Sequence, residues 1–316
     1  MYLDNFVEII SGKILNSPCI SSINKFTSKL ECVQIGDAFI AKNQDDAKEA
    51  LNRGAYAIIT DTYMDMIDDE VAWILISDIE MSILKFIKYI RLINPIEIIF
   101  FDEISILLAK NIIRDREVSI VSSIEELLES LDKKYIIINF DILLFDISYL
   151  QNYDDYLFSI TRQTLFETRL EFDGESYNLT LPNIFIKDLN NVITFCIKKF
   201  INIILHIDSS IFLPIFISSN ATISSYGCGM RFVYGTIDSN LIKRYIEFVH
   251  SATWGKSLCI TNNNYDNIEC INFSSLQSLK KIFKDCKYHF FIVDGVRQNE
   301  ILNVLQYDID SSNLFD

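Results

Sequence analysis

The chain has 316 residues, half of them hydrophobic, and a formal net charge of −15. The length exceeds what one small core supports and predicts two or three domains. The acidic balance argues against a nucleic-acid binder and against adsorption to an anionic membrane, since both draw their affinity from an excess of Lys and Arg.

Seven scattered cysteines (Cys19, Cys32, Cys196, Cys228, Cys259, Cys270 and Cys286) form no CxxC pair and are odd in number. They predict buried, reduced thiols in a cytoplasmic protein. The N-terminal run MYLDNFVEII lacks a basic segment followed by an apolar one, so no signal peptide is expected. Asp4 is placed to cap a first helix over Phe6, Val7 and Ile10, with Gly12 ending it. A polar segment holding Thr27, Ser28 and Lys29 leads into the most legible stretch, residues 36–61. There Gly36-Asp37 is a turn, residues 38–41 an apolar strand, Asp45-Asp46 an acidic helix start, Gly54 a helix cap and residues 56–60 a second strand. Residues 73–76 read as a strand and 79–93 as an amphipathic helix that Asn94-Pro95 breaks, which sets the first domain boundary.

The pattern restarts with a buried strand at 98–101, a helix at 104–113 and a short strand at 118–121. Ser123 and Glu126 form a capping box for a helix through Leu131, and residues 135–140 make a strong strand. Residues 165–172, the turn Asp173-Gly174 and residues 177–181 predict a β-hairpin, followed by a helix over 189–205. The apolar region 195–219 is broken by Lys198, Lys199, His206 and Asp208 and reads as core, not as a membrane span. From Ile211 strands at 232–234, 258–260 and 289–293 alternate with helices capped by Ser239 and Ser274 and a last helix at 300–305, which predicts a parallel sheet. The domains are thus expected at 1–93, 94–210 and 211–316, giving an α/β fold in three parts.

Few side chains suggest chemistry. His206, His250 and His289 have no partner at metal-ligand spacing, and no metal site is expected. Asp102-Glu103 follows a strand; it reads as an acidic first turn favoured by the helix dipole, with a metal-binding carboxylate pair as the other reading. Gly255-Lys256-Ser257 precedes a strand and lacks an upstream glycine, so it reads as a turn. Residues 226–231, with Gly227, Gly229 and Arg231, form the one glycine-rich loop, either a plain connection or an anion cradle completed by Arg231. Asp294 and Arg297 follow a strand and border a candidate ligand crevice.

Three segments in this order resemble the Mur ligases, most closely the member that adds D-alanyl-D-alanine to the UDP-muramoyl tripeptide. Thr27-Ser28-Lys29 stands where that family has D-[ST]-R, Gly36-Asp37-Ala38-Phe39-Ile40-Ala41 is similar to its PGDLFVA strand, and Leu181-Pro182 with Asn190-Asn191 resembles the LP dipeptide and HN-x-x-N helix that close its central domain. The final alternation of strands and helices is similar to the family's Rossmann-like third domain, so the resemblance implies a three-part architecture with a small N-terminal α/β domain, a shortened central α/β domain and a Rossmann-like C-terminal domain, and it implies Thr27, Ser28, Lys29 and Phe39 as substrate-binding positions. The departures fall on the chemistry. Where the family has a TGSxGKT phosphate loop this chain has Asp102-Glu103-Ile104-Ser105, and the loop after Ala41 is cut to Lys42-Asn43-Gln44. A lysine replaces the motif's arginine, and the central domain offers no position for the family's magnesium carboxylate or modified lysine. The expectation is therefore a degenerate, noncatalytic relative with no catalytic residues and no cofactor, which binds a UDP-muramoyl peptide or a cell-wall enzyme. The alternative is a divergent ATP- and magnesium-dependent peptidoglycan-precursor ligase that forms an amide bond.

Overall fold

The computed structural model describes residues 1–142, 144–207 and 212–306, so the boundary expected at 210/211 and Asp208 lie outside the described residues. The chain folds as two compact units, residues 1–157 with 188–206, and residues 158–187 with those from 207 onward.

The first unit begins with α1 (Leu3–Ile10), β1 (Lys13–Ile14), β2 (Phe26–Thr27), β3 (Ala38–Ile40), α2 (Gln44–Asn52), β4 (Ala57–Thr60), β5 (Ala72–Leu75) and α3 (Ile79–Ile93). These strands form a sheet in the order β1-β5-β4-β3-β2, parallel except for the antiparallel edge strand β1. The β3-α2-β4 crossover follows the sequence closely. Asn43 caps α2 by accepting from the Asp46 N–H, and Gly54 holds φ at +92°, a conformation that side chains resist. The first helix differs in both ends from expectation. Tyr2, not Asp4, occupies the N-cap, and Ser11 takes the left-handed turn at φ 55°. Gly12 serves packing instead: a Cβ there would lie 2.5 Å from Ile74 Cγ2.

A second sheet in this unit comprises β6 (Glu97–Phe100), β7 (Val118–Ile120), β8 (Tyr135–Ile138) and β9 (Ser148–Tyr149), with α4 (Glu103–Ile112) and α5 (Ile124–Glu129) between strands. Its order is β7-β8-β6-β9 and every pairing is parallel. The helix predicted over 189–205 is α6 (Ile186–Lys199), which Phe200 ends by adopting φ 56°. From Asp188 onward α6 belongs to this unit, where Phe195 meets the edges of Phe101 and Tyr135. The buried amides of Asn190 and Asn191 accept from the Leu157 and Tyr153 N–H groups, which explains an asparagine pair among the buried positions of this helix. One apolar cluster runs from Phe6, Phe26 and Phe86, in edge-to-face contact at 5.1–5.8 Å, to Ile98, Leu127 and Ile136, so the two sheets share a core. The other face of the first sheet buries Phe39, Ile58 and Trp73 against Ala47 and Ala50 of α2.

The second unit contains β10 (Ser159–Gln163), β11 (Thr168–Phe172) and β12 (Glu175–Leu179), an antiparallel sheet of three strands where the sequence predicts a hairpin of two. Asp173 and Gly174 turn the predicted hairpin with φ of 52° and 78°, matching the twist of its strands. Then come β13 (Ile215–Ile217), β14 (Arg231–Thr236), α7 (Ser239–Ser251), β15 (Ser257–Ile260), β16 (Glu269–Ile271), α8 (Leu276–Asp285), β17 (Phe290–Asp294) and α9 (Gln298–Gln306). They make a sheet in the order β13-β14-β17-β15-β16, parallel except at β13. The caps of α7 and α8 are Asp238 and Ser275, each one residue from the serine expected. Among the described residues no helix is long and apolar enough to cross a membrane.

Candidate functional site

The turn between β6 and α4 is built around Asp102. Its carboxylate accepts from the Ser105 N–H at 2.7 Å, so the amide end of α4 is capped by the chain's own anion. Glu103 follows in the first helical turn and, like Asp102, faces solvent. This is the acidic helix start read from the sequence. Among the described residues no three acidic, histidine or cysteine side chains converge as metal ligands.

The segment 27–29 is held by a residue that the sequence reading did not single out. Glu129, at the end of α5, accepts through Oε1 from the Thr27 hydroxyl (2.5 Å) and the Ser28 N–H (3.0 Å), and through Oε2 from Lys25 (2.7 Å). Thr27 is fully buried and pairs with Phe39 across β2 and β3. Phe39 itself is only 2% exposed and lies in the core with Trp73, and Lys29 donates its N–H to the Thr27 hydroxyl. The four residues therefore sit together, but a glutamate carboxylate occupies the Thr27 hydroxyl and the Ser28 N–H, and the Ser28 hydroxyl is buried without a partner among the described residues. No local signal foretold this, because Glu129 is about a hundred residues away in sequence.

Close to the carboxyl ends of β3, β7 and β8 lies a cavity of about 420 Å³ lined by Lys42, Ile79, Ile83, Ser122, Ser123, Glu125 and Phe140, among others. Strand ends of this kind are where α/β sheets place ligands. Ile79, Ile83 and Phe140 give an apolar wall, the two serines give hydroxyls, Lys42 stands 3.8 Å from Glu125, and Glu80 adds a second carboxylate. Such a lining suits a molecule with one apolar side and a polar end. Lys42 follows β3 directly and so reaches this cavity, although in the sequence the segment Lys42-Asn43-Gln44 reads only as a missing substrate loop.

In the second unit the three expected residues separate. Asp294 is at the carboxyl end of β17, where its Oδ2 accepts from Thr261 (2.7 Å), Asn263 (2.9 Å) and Tyr265 (2.9 Å). Burial works against the charged form, but these three donors and the Gly295 amide outweigh it and hold the carboxyl below its ordinary pKa. The same cluster, burial foremost, pushes the Tyr265 phenol up to about 12. Arg297 follows at the start of α9 and is exposed. Arg231 is at the other end of the sheet, since it opens β14 while Thr236 pairs with Asp294. Its guanidinium donates to the carbonyls of Tyr288, Ser219 and Cys286 and packs over Phe291, and burial lowers its pKa. Arg231 is thereby committed to the fold and not to an anion in the glycine loop. The Gly255-Lys256-Ser257 turn is structural too, with Lys256 donating its N–H to His289 Nδ1. All seven cysteines are free, but only Cys196 and Cys259 are buried, with burial pushing both thiols up to about 12; Cys19 and Cys228 are exposed, contrary to expectation.

No protein-family model matches the sequence, and no curated protein is similar to it. Solved structures do match. The chain is similar to MurF from Acinetobacter baumannii, with a TM-score of 0.51, 9% identity and 98% of both chains covered. A UDP-N-acetylmuramoylalanyl-D-glutamyl-2,6-diaminopimelate--D-alanyl-D-alanyl ligase from the same organism gives 0.48 at 10% identity, again over 98% of both chains. MurF from Thermotoga maritima, solved with ADP, gives 0.42 at 10% identity over 92% of this chain and 98% of that one. At such identity the likeness is one of fold, and the fold is Mur ligase-like.

Proposed function

We propose that this protein is a degenerate Mur ligase-like protein that has lost ATP-dependent ligation and works by binding a cell-wall precursor, such as a UDP-muramoyl peptide, or a protein of the cell-wall pathway. The observation that carries the reading is the β6–α4 turn. A ligase of this fold implies ATP with magnesium, and a triphosphate needs free amides at a helix start and glycines that let them approach. Here the amide end of α4 is taken by Asp102, Glu103 adds a second negative charge, and the turn has no glycine. These residues do not fit the nucleotide.

The cavity beside Lys42 and Ser122 is the place assigned to the precursor, with a cytoplasmic location to match. Isothermal titration of the full chain is expected to show no magnesium-dependent ATP binding, and saturable binding of a UDP-muramoyl peptide that Lys42→Ala weakens. Tight ATP binding, or phosphate release on adding muramoyl peptide and amino acid, would overturn the reading in favour of a divergent ligase. Loss of precursor binding with co-purification of a cell-wall enzyme would move the binding role to a protein partner.

A further inference from the structure

The three-stranded sheet of the second unit carries two arginines whose placement the fold does not require. Arg162 on β10 and Arg169 on β11 are direct partners across the antiparallel ladder, so both side chains leave the same face, where like charges repel. A β-bulge between Ile160 and Arg162 creates that pairing. In a regular register Thr161 would stand opposite Arg169, and the arginines would be out of line. Bulges often re-aim a side chain beside a functional site, and here the effect is to concentrate positive charge.

Neither guanidinium is neutralised. Arg162 makes no hydrogen bond or ion pair among the described residues, and Arg169 donates only through Nε to the Ser176 hydroxyl at 3.1 Å, leaving its terminal nitrogens unused. Asp and Glu number 43 against 28 Lys and Arg in this chain, so carboxylates are the partners most available to an arginine. Yet among the described residues no carboxylate pairs with either. Asn178 faces Arg169 on β12, which extends the row by an amide. The row borders a cavity of about 380 Å³ that Thr164 and Thr180 also line. Glu167 lies on the rim, and its Oε1 accepts from the Tyr226 hydroxyl at 2.7 Å.

We propose that Arg162, Arg169 and Asn178 form a binding site for a small-molecule oxyanion, a phosphate or carboxylate group held by the two guanidinium forks. Planar forks match both groups through paired hydrogen bonds, and a bound anion turns the repulsion between the arginines into a shared attraction. The cavity is large enough for the anion to be one end of a larger molecule.

Calorimetric titration of the full chain with inorganic pyrophosphate and, separately, with citrate tests the site, and the tighter of the two assigns phosphate or carboxylate chemistry. At least one is expected to bind saturably, with Arg162→Gln and Arg169→Gln each weakening it about tenfold or more. Arg169→Lys should fall between, because a lysine keeps the charge but not the fork. Both arginines are exposed, so the variants should fold. Without anion, Arg162→Gln should melt at or above the wild-type midpoint, and the anion should raise the midpoint of wild type alone. Absence of saturable binding by either probe, equal binding by the double Gln variant, or a lower midpoint for anion-free Arg162→Gln would each overturn the proposal.

Discussion

Replacing Glu129 tests what holds the 27–29 segment in place. Glu129→Ala removes the acceptor of the Thr27 hydroxyl, the Ser28 N–H and the Lys25 ammonium at once. Thr27 is fully buried and the Glu129 side chain is 11% exposed, so the first two donors lose a charged acceptor in a place closed to solvent. Each such loss costs about 1–2 kcal/mol. The Lys25 side chain is half in solvent, and its ion pair adds only about 0.5 kcal/mol. The sum is about 3 kcal/mol. Glu129→Gln keeps one oxygen to accept from Thr27 and Ser28 and loses the charge and the ion pair, a cost of about 1 kcal/mol. Urea unfolding followed by the emission of Trp73, which is fully buried in the first sheet, reads the difference in a Trp254→Phe background. Equal losses for the alanine and glutamine variants, or a loss below about 1 kcal/mol for alanine, would show that the carboxylate is not what fixes the segment.

Three further outcomes follow from packing and charge in the second unit. Gly235→Ala is expected to cost about 2–3 kcal/mol, because its Cβ would press on Ile301 and lie 2.8 Å from the Val296 carbonyl oxygen; thermal unfolding measures it. Tyr234 is fully buried, stacks on Tyr245 at 4.4 Å, and has no hydrogen-bond partner for its hydroxyl among the described residues. Tyr234→Phe should therefore stabilise the protein by about 1 kcal/mol in the same assay, and a clear loss would reveal a partner. Asp294 titrates below its ordinary value in the folded state, so its contribution is complete above the unfolded pKa of roughly 4 and fades as pH falls through the folded pKa. The urea midpoint of wild type should exceed that of Asp294→Asn at neutral pH and approach it at low pH; a gap independent of pH would refute the linkage.

Periodicity and capping chemistry made the regular elements legible, and their failures share a cause. The stretch 36–61 was readable because its signals are local: Gly54 must take a positive φ and the apolar positions alternate as a crossover requires. Helix ends shifted by a residue where several capping side chains are adjacent, as at Asp238-Ser239 and Ser274-Ser275, since the backbone picks one among near-equal caps. The capping box at Ser123 also differs in detail: Glu126 accepts from the Ser122 N–H, not from that of Ser123. Strand β10 was missed because its five residues are all exposed and show no apolar alternation; pairing with β11 alone defines it. The sites were harder still. Asp102 announced itself as an acidic turn after a strand, but Lys42 meets its cavity, Glu129 reaches Thr27 and Arg162 meets Arg169 only through tertiary packing, pairing and a bulge, which leave no local trace.

Under the proposed reading, the same physics explains why a ligase scaffold survives the loss of its chemistry. A phosphate loop is a local liability, since its glycines add chain entropy to the unfolded state and an uncapped helix start leaves amides unpaired. An aspartate at that N-cap satisfies one of those amides and complements the helix dipole, for about 1 kcal/mol of added stability. Glu129 likewise satisfies the donors of the 27–29 segment from within the chain. Such internal contacts strengthen the fold, the direction in which a chain moves once activity no longer opposes it. The unpaired arginines on β10 and β11 run against that direction. They keep an electrostatic cost that a single Gln would relieve, and a retained cost of that kind marks the place where binding is still the purpose.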